Sequence, residues 1–319
     1  MTTAPTLADI HSAQRRLKSH VHRTPILSSR EIDAIAGARL LFKCENFQRT
    51  GSFKARGAFN AVLALADAQA ARGVVTHSSG NHAAALALAA RERGIAAHIV
   101  MPHTAPAPKK AAVAAYGGRI IDCEQTLAAR LAAADAIIAE TGAVLIPPFD
   151  SREVAAGQGS CAMELLADAT EALDAVTCPV GGGGLLAGTL VAVKESRPEV
   201  AVIAAEPAAA DDAARGFRSG ELQPQVLPVA TIADGLTTAM SPMTFGVMRA
   251  RANNVVTASE SAIIEAMRLI WSRMKIIVEP SCAVPLAAIL EGSWDAKGLT
   301  VGVILTGGNV DLDQLPWSR

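Results

Sequence analysis

Short apolar runs rich in β-branched residues alternate with longer Ala- and Leu-rich stretches along almost the whole chain. Strands are predicted at Leu40–Phe42, Val74–Thr76, His98–Met101, Arg119–Cys123, Ala175–Pro179, Val200–Ala205, Val255–Ala258 and Thr300–Leu305. Between them lie helical patterns such as Asn81–Arg93, Thr126–Glu140 and Leu185–Lys194. Strands alternating with helices imply an α/β fold of open parallel or mixed sheets with helices on both faces. A further helix spans about Ser259 to Arg273, and Thr257-Ala-Ser-Glu260 has the spacing of a capping box at its start. Ile263, Ile264, Met267, Ile270, Trp271 and Met274 form one apolar stripe on it, read as core or subunit interface. Pro147-Pro148-Phe149-Asp150 reads as a boundary, and the polar stretch Gly220–Pro228 as a surface loop.

Composition narrows the function classes. The 319 residues include 29 Lys+Arg against 30 Asp+Glu, so no net charge draws the chain to nucleic acid or an anionic membrane. Aromatic residues make up only 3%, which argues against base-stacking platforms. No apolar run approaches the ~20 residues of a spanning helix, and the first twenty residues lack a secretory pattern. Cys44, Cys123, Cys161, Cys178 and Cys282 are scattered and odd in number, which indicates neither a disulfide framework nor a zinc site. A cytoplasmic protein with no nucleic-acid or membrane partner is expected.

Three turns follow a predicted strand and precede a helix: Ser78-Ser79-Gly80-Asn81-His82, Gly181-Gly182-Gly183-Gly184, and Thr306-Gly307-Gly308-Asn309. Open α/β sheets bind ligands at the carboxyl ends of their strands, where such turns gather. The tetraglycine before Leu185 suits an anion, because a helix N-terminus offers unpaired N–H groups and glycine lets them approach. Alone, such a run is more often a tight loop. A fourth segment, Ser52-Phe53-Lys54-Ala55-Arg56-Gly57-Ala58, puts a lysine at a helix entry beside an aromatic ring. A desolvated amine there could form a Schiff base, although a lone lysine is usually a solvated surface residue.

In combination and in order, these motifs resemble the fold-type-II pyridoxal-phosphate enzymes (tryptophan synthase β-like), specifically their serine/threonine dehydratase and serine racemase branch. The resemblance runs from His22-Arg23-Thr24-Pro25 to Thr306-Gly307-Gly308-Asn309-Val310-Asp311-Leu312. It implies that Lys54 carries pyridoxal 5′-phosphate as an internal aldimine and that Phe53 lies against the ring. Asn81 would meet the ring 3′-oxygen, Gly181, Gly182, Gly183, Gly184 and Leu185 the phosphate, and Thr306 the pyridine nitrogen. Ser78, Ser79, Gly80, Asn81 and His82 would bind the substrate carboxylate. Arg130 matches a racemase arginine that couples closure to substrate, or is a helix-surface arginine.

The implied activity is β-elimination from a serine, threonine or aryl-serine type substrate to a 2-oxo acid and ammonia, with Lys54 as base. A neutral hydroxyl at the ring nitrogen makes a weaker electron sink than a carboxylate would, which favours prompt loss of a β-leaving group. Serine racemase, in which Ser79 acts opposite the lysine, and 3-hydroxyaspartate dehydratase are alternatives on the same scaffold. A β-replacement synthase fits less well, and a silent cofactor-binding homologue is the reading from another class. Relatives in this branch place Mg²⁺ or Ca²⁺ on residues matching Glu206, the Ala210 carbonyl and Asp212. By itself that acidic stretch reads as a helix start. The resemblance further implies a homodimer, a mobile small domain over 70–150, and a large domain over 1–69 plus 151–319.

Overall fold

The computed structural model describes residues 2–78 and 80–317. Among them, ten strands form two sheets. The strands are β1 (Ile26–Leu27), β2 (Arg39–Cys44), β3 (Val74–Thr76), β4 (Ala97–Pro102), β5 (Arg119–Cys123), β6 (Val144–Leu145), β7 (Ala175–Pro179), β8 (Ala201–Pro207), β9 (Asn254–Ala258) and β10 (Thr300–Leu305). The larger sheet has the order β1-β2-β10-β7-β8-β9, parallel except for the antiparallel β1–β2 pair. The smaller has the order β5-β4-β3-β6 and is wholly parallel. The α/β architecture expected from the alternating pattern is the one observed.

The period of two along each strand sends successive side chains to opposite faces. Val202 and Ala204 of β8 join the core beneath the helices Lys54–Ala64, Arg152–Asp168 and Gly184–Ser196. Ile203 and Ala205 join the opposite core with Glu260–Met274 and Pro280–Leu290. On Glu260–Met274 the stripe residues Ile263, Met267 and Ile270 are buried in that second core, with Trp271 and Met274 packed against it. The start of this helix differs from expectation. Ser259, not Thr257, is the N-cap, accepting from the Ala262 amide, because Thr257 is committed to β9. Glu260 turns to accept from the Ile232 amide at 2.9 Å.

Both sheets direct strand ends toward one cleft. The strand β2 leads to Lys54, β3 to the turn before Asn81, β7 to the tetraglycine, and β10 to Thr306. The segment 146–150 crosses between the sheets beside them.

Candidate active site

After β2 the chain passes through two short 3₁₀ turns, Glu45–Phe47 and Arg49–Gly51, with Thr50 in the left-handed region at φ 59°. Ser52 bridges to Gly307, and the Phe53 amide donates to Thr306 O at 3.0 Å. These bonds tie the entry of the Lys54–Ala64 helix to the end of β10. The Lys54 Nζ donates to Pro148 O at 2.9 Å and lies 5.0 Å from the Phe53 ring centre. Burial pushes its amine down to about 8, with the Glu279 charge pulling the other way. An amine so placed has an appreciable nucleophilic fraction near neutral pH.

Beneath that helix lies a buried ionic network. Arg56 reaches Glu45 through Nε (2.7 Å) and Nη2 (2.8 Å), and Glu164 through Nη1 (2.8 Å) and Nη2 (2.7 Å). Lys43 Nζ donates to Glu164 and to Thr24 O, each at 2.7 Å. Two cations thus face two anions within the core. The network anchors the helix that presents Lys54.

Asn81 opens the helix Asn81–Arg93, with Gly80 as its N-cap. Its Nδ2 donates to both oxygens of Glu279, at 2.9 and 3.1 Å, and its Oδ1 accepts from Asn309 Nδ2 at 2.9 Å. Ser78 Oγ is partnered with the Gly80 amide at a long 3.5 Å. His82 is almost fully buried, with Nε2 against Ile146 O at 3.0 Å and no partner for Nδ1. Burial, then the nearby Lys54 charge, pushes its imidazole down to about 3. It is therefore neutral, with Nε2–H as donor, and offers a substrate no positive charge. Ser79 lies outside the described residues.

The tetraglycine forms the turn from β7 into Gly184–Ser196, with Gly183 at φ 84° as N-cap. No backbone carbonyl among the described residues accepts from the amides of Gly181 to Leu186, whereas Val180 reaches Ala205 O and Ala187 reaches Gly183 O. Side chains are excluded there by close packing. A Cβ on Gly181 would lie 2.9 Å from Leu236 Cα, one on Gly183 2.5 Å from Met240 Cε, and one on Gly182 would overlap the Phe149 ring. Free amides at a helix N-terminus, backed by glycine, form an anion cradle.

Thr306 is buried at the end of β10, on the same wall as Glu279 and Asn309. Arg130 makes no hydrogen bond to this group among the described residues: its Nη2 bonds Gln125 O at 3.4 Å, its Nε is buried without a partner, and its charge bears on His77, next to the Ser78 turn. Glu206, at the end of β8, accepts from the amides of Ala213 (3.2 Å) and Ala214 (2.5 Å). Burial pushes the Glu206 carboxyl up to about 9 and that of Asp212 to about 6. Ala210 ends the 3₁₀ turn between them. Among the described residues no three His, Cys, Asp or Glu side chains converge as a metal cluster. Sequence reasoning missed Glu279, whose partner Asn81 lies far off in the chain; in the sequence it is only the residue before Pro280, which marks a helix start and no site.

The fold and site define an α/β protein with a buried lysine, a glycine turn of amides unbonded among the described residues and an amide-lined wall at the carboxyl ends of parallel strands. The chain belongs to the pyridoxal-phosphate dependent enzymes, whose family model matches residues 17–307. It is 48% identical to the beta-hydroxyaspartate dehydratase of Paracoccus denitrificans, over 98% of this chain and 99% of that one. It is 45% identical to the serine racemase of Dictyostelium discoideum, whose crystal structure superposes with a TM-score of 0.92 over 97% of this chain and 99% of that one. A threonine deaminase from T.th. superposes equally well, with a TM-score of 0.92 and 45% identity over 97% of this chain and 100% of that one. No helix among the described residues is long and apolar enough to cross a membrane.

Proposed function

We propose that the chain is a dehydratase of β-hydroxy amino acids, taking serine, threonine or an aryl-serine to a 2-oxo acid and ammonia. The observation that carries this reading is the buried Lys54 amine on Pro148 O, facing the charge of the Glu279 that holds Asn81, with the tetraglycine packed on the adjoining Phe149. The donor set fits pyridoxal phosphate: Gly181 to Leu185 would hold its phosphate, Asn81 its 3′-oxygen, Thr306 its ring nitrogen, and Phe53 one ring face. When bound, the cofactor supplies an aldehyde for the substrate amine and a ring that draws electrons from Cα.

The protein's own residues do the rest. Ser78, Gly80 and the following amides hold the substrate carboxylate at the start of Asn81–Arg93. Lys54 Nζ takes the proton from Cα as the hydroxyl leaves Cβ, which removes one water overall. Hydrolysis of the resulting enamine yields the 2-oxo acid and ammonia. Residues 70–150 close over the substrate against 1–69 plus 151–319. Glu206, the Ala210 carbonyl and Asp212 would hold Mg²⁺ or Ca²⁺, whose charge would relieve two carboxyls that burial pushes toward protonation.

An uncharged β-substituent is supported by three basic groups that are already paired or neutral. Lys109 pairs with Asp234 at 2.7 Å, Arg152 pairs with Asp9 at 2.9 Å, and His82 is neutral. A second reading, 3-hydroxyaspartate as substrate, is favoured by the Paracoccus relative and by the unpartnered Nε of Arg130. A 2-oxo-acid assay on separate stereoisomers of serine, threonine, phenylserine and 3-hydroxyaspartate decides between them. Threonine or phenylserine should exceed 3-hydroxyaspartate in kcat/KM by more than tenfold, about 1.4 kcal/mol of barrier. The reverse order establishes the second reading, and D-serine outpacing pyruvate from L-serine makes the chain a racemase.

A further inference from the structure

A backbone carbonyl and a carboxylate stand at the ends of a short hydrogen-bonded relay. At one end Thr50 O accepts from Asn309 Nδ2 at 2.7 Å. The same Nδ2 donates to Asn81 Oδ1 at 2.9 Å, and Asn81 Nδ2 donates onward to the Glu279 carboxylate. The Asn309 backbone amide closes the ring on Glu279 Oε2 at 3.2 Å. Amide ends are distinguished by such networks: the Thr50 carbonyl sets the Asn309 end, and Glu279, while ionised, sets the Asn81 end. Glu279 is held in turn, since its own amide donates to Gly307 O at 3.0 Å and a Cβ on Gly307 would lie 2.6 Å from its Oε1.

We propose that Glu279 is a positioning residue that fixes which end of the Asn81 amide faces the cofactor's 3′-oxygen. This rests on the reading that Asn81 contacts that oxygen. With an ionised Glu279, Asn81 Nδ2 must point to the carboxylate, and its remaining N–H is left for an oxygen of phenolate character. A protonated Glu279 can instead donate to Oδ1; the amide then inverts once Asn309 Nδ2 gives up its bond to Asn81 and keeps only Thr50 O, and a carbonyl turns toward that oxygen.

The state of Glu279 is poised for such a change. Burial pushes its carboxyl up to about 7, while Asn81 and Asn309 pull it back. Asp234 raises it further and Lys109 lowers it, and Lys54 and Cys282 also face it.

The test compares Glu279→Gln, Asn81→Ala and the double variant, measuring affinity of cofactor-free protein for pyridoxal phosphate and the visible absorbance of the loaded protein across pH. Glu279→Gln should weaken binding at least tenfold and abolish an absorbance change centred near pH 7 in the unaltered protein. In the Asn81→Ala background the same substitution should change affinity less than twofold, because its effect is routed through the amide. A Glu279→Gln effect that persists in that background overturns the proposal, as does unchanged affinity and absorbance in the single variant. Asn81→Ala without effect refutes the underlying reading of Asn81 instead. Asn309→Ala, which cuts the relay at its other end, should shift affinity and absorbance in the same direction and serves if Glu279→Gln does not fold.

Discussion

Replacing Arg56 by methionine removes a guanidinium that bridges two buried carboxylates while leaving a side chain of similar length. Glu164 would keep Lys43 at 2.7 Å, but Glu45 would keep only the Thr24 hydroxyl at 2.6 Å and a long 3.5 Å contact from Gln48. A buried charge left without its partner costs about 3–5 kcal/mol. At about 2.1 cal/mol/K of unfolding entropy per residue, 319 residues give about 0.7 kcal/mol/K, so Tm should fall by about 4–7 °C. The pH dependence separates this cause from simple loss of packing. Burial alone would raise the Glu45 carboxyl, yet Arg56 holds it below its ordinary 4.5. A carboxyl depressed in the folded state contributes stability that is present above its unfolded value and lost as pH falls through the folded one. Without Arg56, burial prevails and the Glu45 carboxyl rises, so the variant loses most at neutral pH and least in acid. Scanning calorimetry of the cofactor-loaded protein at pH about 7.5 and about 5 should show the deficit narrowing. A shift under about 1 °C, or an equal deficit at both values, would refute the reasoning.

Lys54→Ala should abolish turnover, and borohydride reduction followed by peptide mapping of the unaltered protein should place the cofactor on Lys54; label on another lysine rejects the assignment. In cofactor-free protein the Lys54 amine should react with an acylating reagent along a titration centred near 8, and a midpoint above 10 contradicts the burial argument. Gly182→Ala, which drives a Cβ into the Phe149 ring, should weaken pyridoxal phosphate binding by tenfold or more while inorganic phosphate loses its competition with the cofactor. Chelation should lower Tm and added Mg²⁺ or Ca²⁺ should restore it, with Glu206→Ala insensitive to both; a Tm indifferent to chelator leaves the acidic stretch a helix start.

Every strand of the sequence reading has its counterpart, because runs such as Val74–Thr76 and Thr300–Leu305 are rich in β-branched residues and bounded by turn residues. The two-residue β1 and β6 are too short to leave a periodicity. Pro280–Leu290, which carries Pro285 in its interior, is not among the helices that the pattern predicts. It is apolar on nearly all sides, so no amphipathic stripe marks it, and its proline reads as a breaker. At the site, the glycine turns and Lys54 are legible because their chemistry is local. Glu279 and the Arg56 network are not, since each depends on partners that only the fold brings near: Asn81 for the one, Glu164 for the other. Thr257 misleads for a related reason, as a capping pattern gives way when a sheet claims the same residue.

The place of β10 bears on how the chain is made. It lies between β2 and β7, pairing Thr300 with Arg39 on one side and Val301 with Ala175 on the other. Its two neighbours leave the ribosome long before it does. During synthesis β2 and β7 therefore wait as parallel-strand edges with unpaired N–H and C=O groups, even once the helices that cover both faces have emerged. The ring of groups at Thr306 and Asn309 cannot close until that last strand slots between them. Cofactor loading accordingly waits for Thr300–Leu305, and chains arrested before Thr300 should aggregate more readily than chains that include it.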